Sequence, residues 1–309
     1  MWVYIARRLL WLPVLLIATS LVTFTLLRFG PGDPAEVILG SRYNEEAAQQ
    51  IRGQLGLDKP FGVQYATYMW GVVRGDFGES YRYRGRSVSE LLFPKMWVSF
   101  QFNIAVMFAS LVIGLPLGFY IAHRQGTWLD PAVVAIALFF SSIPIMITIP
   151  FVLWGLCLKL SLVPCSGWGG LLDPRIITPV ITLGVFGVAG LVRFMRASTL
   201  DVLGQDFIRT ANAKGLSVVT VDVRHVLKNA MIPIVTLLSF SLAGIFITSF
   251  IVERILGIPG VGNFTIDSIF NRDYPIILAV GILGSAGFVI ANLLADITYA
   301  FIDPRIRYQ

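Results

Sequence analysis

His123 and His225 are the only imidazoles in this chain of 309 residues, and neither has a glutamate at the H-E-x-x-H spacing of a zinc site. Serines are plentiful, yet none sits in the G-x-S-x-G setting that exposes a nucleophile. The phosphate cradle G-x-x-x-x-G-K-[ST] is absent. Gly257-Ile-Pro-Gly260-Val-Gly262 is rich in glycine, but Pro259 and its position outside the membrane make it a turn and not a phosphate loop. Cys157 and Cys165 are too few for a disulfide framework or a metal site and are expected to stay unpaired. No catalytic, metal or cofactor site is therefore expected in this chain, and any work it does must be powered elsewhere.

The residues that could do something else lie between Arg193 and Pro233, a basic and polar stretch between two long apolar runs. Polar residues this dense cannot lie in hydrocarbon, so an aqueous-facing structure is expected there. It carries Arg193, Arg196, Arg209, Lys214, Arg224 and Lys228, which by the positive-inside rule places it in the cytoplasm. A short cytoplasmic helix with small residues on one face suits the grip of a membrane protein on a soluble motor.

The elements that must position this segment are membrane spans. Charged residues make up 14% of the chain and apolar ones 56%, with a mean hydropathy of +0.75. A soluble domain carries about 25% charged residues. The net charge of +6 is explained by cytoplasmic anchoring, not by nucleic acid. Uncharged runs cover Leu9–Leu27, Met96–Ala122, Pro131–Leu158, Ile176–Val192, Asn229–Val252 and Tyr274–Ala295. Each is near or above the roughly 17 to 25 residues that cross about 30 Å of hydrocarbon, so six transmembrane helices are expected. The first run is too long for a signal peptide and lacks a small-x-small cleavage site, so it reads as a retained anchor.

Orientation follows from the short loops. With the N-terminus inside, cytoplasmic segments hold eleven Lys and Arg and the short outer loops hold four, so both termini are expected in the cytoplasm. The expected organisation is an N-terminal tip and first helix over 1–30, an extracytoplasmic helical loop domain over 31–95, a core domain of membrane helices over 96–302 containing a cytoplasmic loop at 199–228, and a tail at 303–309. In the loop domain, Asn44 caps a helix through Gln54 with Gly56 past its end, and Phe61–Val73 forms an amphipathic second helix. Ser87-Val-Ser-Glu90 is a capping box that opens a third, short helix. Eight acidic residues balance eight basic ones there, so the loop reads as a cap over the pathway or a dock for a partner, with a plain linker as the alternative.

Two features inside the spans stand out. Gly184, Gly187 and Gly190, and again Gly281, Gly284 and Gly287, recur at every third position and would let helices approach closely, for static packing or for sliding. Asp296, with Asn292 four residues before it, is the carboxylate nearest the membrane interior, about 10 Å from the interface by helix rise. It could relay protons, but pairing with Arg193 or Arg196 is the favoured role.

The chain resembles a permease subunit of the bacterial ABC importers, in the oligopeptide/dipeptide/nickel group. The resemblance rests on Pro31-Gly-Asp-Pro34, Leu55-Gly-Leu-Asp-Lys-Pro60, Gly75-Asp-Phe-Gly78, Asp206-Phe-Ile-Arg-Thr-Ala-Asn-Ala-Lys-Gly215, Glu253-Arg-Ile-Leu-Gly-Ile-Pro-Gly260 and Asp303-Pro-Arg-Ile-Arg307, which together run nearly end to end. It implies an all-α type I importer fold in the inner or plasma membrane of a bacterium or archaeon. It also implies a second, related permease, two cytoplasmic ATPases that carry the ATP and Mg, and an extracytoplasmic substrate-binding protein. Such permeases carry a Glu-Ala-Ala-(three residues)-Gly coupling loop. Here Arg209, Thr210 and Ala211 stand at the first three positions, and Pro233 follows later than in the general pattern. Asp206, Arg209, Thr210, Ala211, Ala213, Lys214, Gly215 and Leu216 are the residues expected to couple to the ATPases, the small ones keeping the helix slim and Arg209 and Lys214 supplying charge. The expected function is inward transport of a small peptide or similar solute. An ion-coupled secondary transporter using Asp296 is the rival reading, and a membrane-embedded enzyme comes third.

Overall fold

The protein is described by a computed structural model covering residues 2–29, 33–40, 43–245 and 250–302, with the backbone alone for 2–9, 294–302 and a few positions inside helices. Helices dominate, and among the described residues the only β pairing is the single bridge Glu79–Ser87. They are α1 (Trp2–Arg28), α2 (Pro34–Leu39), α3 (Glu45–Gln54), α4 (Phe61–Val73), α5 (Val88–Ala122), α6 (Leu129–Ser142), α7 (Ile145–Val152), α8 (Ile177–Leu203), α9 (Asp206–Ala213), α10 (Val218–Thr220), α11 (Lys228–Ile245), α12 (Phe250–Leu256), α13 (Val261–Phe270) and α14 (Tyr274–Ile302). π-helical segments at Leu153–Lys159 and Val221–Leu227 extend α7 and lead into α11.

Among the described residues, three helical stretches are long and apolar enough to cross a bilayer: Val88–Ala122, Pro174–Leu203 and Tyr274–Leu293. A fourth is a bent pair, Leu129–Ser142 with Ile145–Lys159, broken by 103°. The sequence suggested one continuous run over Pro131–Leu158, and Pro144 is the reason for the difference. Ile143 before it is held extended at φ −85°, ψ 123°, because a residue preceding proline is disfavoured from the helical region. Serines and threonines inside the helices mostly return their hydroxyls to the preceding turn, as Thr23 does to Thr19, Thr182 to Thr178 and Ser285 to Gly281. That leaves few hydroxyls for hydrocarbon to desolvate.

The chain divides into two units, residues 1–100 with 246–293, and residues 101–245 with 294–309. In the first, Phe24 of α1 meets Phe61, Tyr65 and Tyr68 of α4 with ring centroids 5.6 to 5.8 Å apart. Ser20 adds a 2.7 Å bond to the Tyr65 hydroxyl. Phe77, Val88, Leu91 and Leu92 bury against Val261, Phe264, Ile276 and Ala279. Asn44 caps α3 by accepting from the Ala47 amide at 2.7 Å, and Gly56 ends it at φ +66°. The expected third short helix does not stop. Ser87 accepts from the Glu90 amide at 3.2 Å, but the helix it opens is α5, which continues unbroken to Ala122.

In the second unit, Met195 of α8 and Ala230 and Ile234 of α11 form a core that Leu115 and Phe119 of α5 cover. Ser198 donates to the Ala230 carbonyl at 2.8 Å, a polar tie between α8 and α11. Cys157 and Cys165 are joined in a disulfide, contrary to the expectation that they stay unpaired. The chain turns back after Lys159 and brings their Cα atoms to 5.3 Å, within bridging distance.

Candidate functional site

The segment singled out for its polarity is more helical than a loop. α8 continues through Arg193 and Arg196 to Leu203, so both arginines lie within a span-length helix and not beyond its end. After Gly204, α9 takes up eight residues with two faces. Ile208 and Ala211 are 3% and 6% exposed and pack with Val221, Val226 and the flanking Phe119, Val202 and Leu203. On the other side Phe207 and Leu216 are exposed, followed by Val218, Val219 and Val223 at 60% or more. Asp206 and Arg209 are almost fully solvated, 3.7 Å apart, an ion pair of negligible strength that leaves both charges available.

This geometry assigns the small residues different tasks. Ala211 faces its own chain, where a larger side chain would not fit beside Val221 and Val226. Gly215 is at φ +76° with open space around the position of a Cβ, so backbone conformation is what requires glycine there. The turn it makes closes α9, with the Gly215 amide on the Asn212 carbonyl at 2.9 Å and Leu216 reaching Ala211 at 3.4 Å. Thr210 returns its hydroxyl to the Asp206 carbonyl, while Ala213 and Lys214 stay exposed. Ser217 then caps the next turn by accepting from the Thr220 amide at 3.3 Å. His123, at the end of α5, bonds Asp222 at 3.0 Å and ties the following segment to the bundle.

Among the glycines expected to pack helices, Gly187 faces Ser110 of α5 and Gly281 faces Thr23 of α1, the latter with 2.7 Å between a Cβ and the Thr23 methyl. Gly184, Gly190 and Gly284 have nothing within 4 Å of a Cβ, and Gly287 is partly buried. Sequence reading missed two further close approaches of α5 to α8, one of them onto backbone. At Gly114 a Cβ would lie 2.8 Å from the Leu191 Cβ, and at Gly118 only 2.6 Å from the Val192 carbonyl oxygen. Their G-x-x-x-G spacing was a signal that could have found them.

Arg196 is paired with Asp130 on α6 in a fork whose second contact is 2.7 Å, and the expected pairing of Asp296 with Arg193 or Arg196 lies outside the described residues. Asn292 is partly buried on α14, and the Asp296 side chain, the Pro31–Gly32 pair and the Asp303–Arg307 motif lie outside the described residues. Sequence reading also passed over Glu253, which is fully buried beside the glycine-rich turn. The Ser99 hydroxyl donates to it at 2.6 Å and the Asn263 amide at 2.9 Å, while the Val261 amide donates to Ser99 at 2.8 Å. Burial pushes its carboxyl above the ordinary value, and these two donors offset that only in part. A carboxylate acceptor at the start of α13 thus holds the turn 257–263 in place.

Comparison with known proteins agrees with this architecture. The family of binding-protein-dependent transport system inner membrane components matches residues 114–308, and its N-terminal companion matches residues 1–119. A probable peptide ABC transporter permease of Sinorhizobium fredii is 35% identical over 314 residues, covering 100% of both chains. A dipeptide transport system permease of Escherichia coli is 33% identical over 342 residues, covering 99% of both. A glutathione transport system permease of Shigella flexneri is 35% identical over 312 residues, again covering 99% of both. In fold, the chain is similar to an inward-facing structure of the methionine ABC transporter MetNI, with a TM-score of 0.58, 17% identity and coverage of 69% of this chain and 97% of that one.

Proposed function

The chain belongs to the family of binding-protein-dependent transport system inner membrane components, and from that premise we propose that it forms one half of the membrane pathway of an ATP-driven importer of short peptides. It is the membrane-embedded transport subunit of an ABC importer and not its ATPase. Its partners on this reading are a second, related permease, two cytoplasmic ATPases that hold ATP and Mg, and an extracytoplasmic binding protein. Six crossings follow if α1, the bent α6–α7 pair and α11 join α5, α8 and α14. The cytoplasmic excess of basic residues supports an inner-membrane orientation with both termini inside and residues 31–95 outside.

The observation that carries the reading is α9. One face is anchored through Ile208 and Ala211, while Phe207, Arg209 and Leu216 remain exposed to a partner. A two-turn helix fixed on one side and exposed on the other transmits a push without bending. The names of the relatives support peptide as the cargo. The test is to purify the chain with its genomic neighbours, reconstitute the complex and follow uptake of labelled di- and tripeptides. Uptake should require ATP and the binding protein, and Phe207→Asp should abolish co-purification of the ATPases while leaving the permease pair assembled. ATP-independent uptake, or undiminished ATPase recovery with Phe207→Asp, would remove the coupling assignment.

A further inference from the structure

A cavity of about 870 Å³ opens in the second unit along α5, α8 and α11, within the range of small-molecule sites. Its walls are mostly apolar, with Asn103, Ser110 and Ser241 as polar points and Arg193 near Phe194. The two arginines of α8 differ in a telling way. Arg196 is paired with Asp130, whereas Arg193, one turn earlier, has no hydrogen-bond or ion-pair partner among the described residues. An ionisable side chain in a span-length helix that lines a cavity and has no partner among the described residues is poised for a ligand.

The polar points also have a polarity of their own. Ser110 and Ser241 spend their hydroxyl protons on the Val106 and Leu237 carbonyls, and the Asn103 amide nitrogen donates to the Ile245 carbonyl at 3.0 Å. Ser110 and Ser241 therefore offer the cavity acceptor oxygens, and Asn103 offers its amide oxygen beside one remaining N–H. Arg193 offers only donors and a positive charge. Ser110 lies at Gly187, Gly114 at Leu191 and Gly118 at Met195, so α5 and α8 run in the same direction. Arg193 is six residues beyond Gly187, about 9 Å along the axis at 1.5 Å per residue. That length matches about three residues of extended chain.

We propose that this cavity is a binding station for a short peptide in transit, with the C-terminal carboxylate on Arg193 and the amide N–H groups or the ammonium on the oxygens of Ser110, Ser241 and Asn103. The inference rests on the peptide-permease reading and adds to it the chemical group that the membrane subunit itself recognises. Recognition of the carboxylate in the membrane would let the permease reject cargo that lacks a free C-terminus.

The test compares a tripeptide with its C-terminal amide in the reconstituted complex, at saturating binding protein, for wild type, Arg193→Gln and Arg193→Lys. Because every permease form meets the same loaded binding protein, that protein's own preference cancels in the ratio of rates. Loss of one charge-assisted contact should slow transport of the free acid about tenfold in Arg193→Gln and leave the amide within about twofold. Arg193→Lys should retain most of the discrimination. As a second measurement on unmutated protein, a tripeptide with a C-terminal benzophenone side chain should crosslink to α8 near Arg193. Equal slowing of acid and amide, or crosslinks confined elsewhere, would overturn the proposal. So would a defect that follows anionic lipid content and not peptide charge, since it would assign Arg193 to lipid phosphate. A wild-type complex that moves neither peptide would instead overturn the premise, and it would do so before any substitution is made.

Discussion

Substituting Gly118 by alanine should loosen the contact between α5 and α8, and the same change at Gly190 should not. The added Cβ at Gly118 would sit 2.6 Å from the Val192 carbonyl oxygen, 2.8 Å from the Met195 Cβ and 3.1 Å from the Val192 Cα. Carbon–oxygen contacts of even the favourable kind lie near 3.3 to 3.6 Å, so the backbones must separate by roughly 0.7 Å. They have little freedom to do so, because Met195 is fully buried and Ser198 is bonded to Ala230. Overpacking of this kind costs about 1 to 3 kcal/mol. Alanine also gains up to about 1 kcal/mol over glycine in a helix interior. At Gly190, where nothing lies within 4 Å, that gain stands alone. The propensity gain is common to both substitutions, so the difference between them isolates the clash at about 1 to 3 kcal/mol. Reversible unfolding of the purified protein in mixed micelles, titrated with denaturing detergent, would measure it. If Gly118→Ala and Gly190→Ala agree within about 0.5 kcal/mol, the close approach of α5 and α8 is not a constraint and the packing argument fails.

Glu253 should make stability depend on pH. Its carboxyl is raised by burial above the ordinary 4.5, so folding favours the protonated form. The stabilisation is complete below the ordinary value and is lost as pH rises through the raised one. Melting temperature should therefore fall as pH rises above the ordinary 4.5 toward the raised value in wild type, and this fall should be missing in Glu253→Gln; parallel slopes would count against it. Asp130→Ala should cost about 1 to 3 kcal/mol by leaving Arg196 half-buried and unpaired. Adding Arg196→Leu should recover most of that in a double-mutant cycle, and simple additivity would show that the pair is not coupled. At Gly215, asparagine should retain ATPase co-purification where valine reduces it about tenfold, because asparagine tolerates the left-handed backbone. Equal recovery of the two variants would show that the φ of +76° is not what this position requires.

The local elements of this protein were legible because their causes are local. The Asn44 cap, the bounds Phe61–Val73 and the left-handed stop at Gly56 each depend on a few neighbouring residues, and all three are found where the pattern places them. The membrane character is equally a property of composition, since no fold can hide that many apolar residues with so few charges. The polar, basic composition between two apolar runs marked a short helix with small residues on one face, and α9 is found there. What the pattern could not say is which face of α9 is anchored. Ala211 is buried because Val221 and Val226 return to it from beyond the next turn, and that return is a tertiary event. Ion pairing is decided in the same way. Arg196 finds Asp130 across 66 residues, Glu253 finds Ser99 across 154, and Cys157 meets Cys165 because the chain reverses after Lys159. Composition prescribes that buried charges must be partnered, but only the packing of helices chooses the partner, because that choice depends on distances set by every side chain between them.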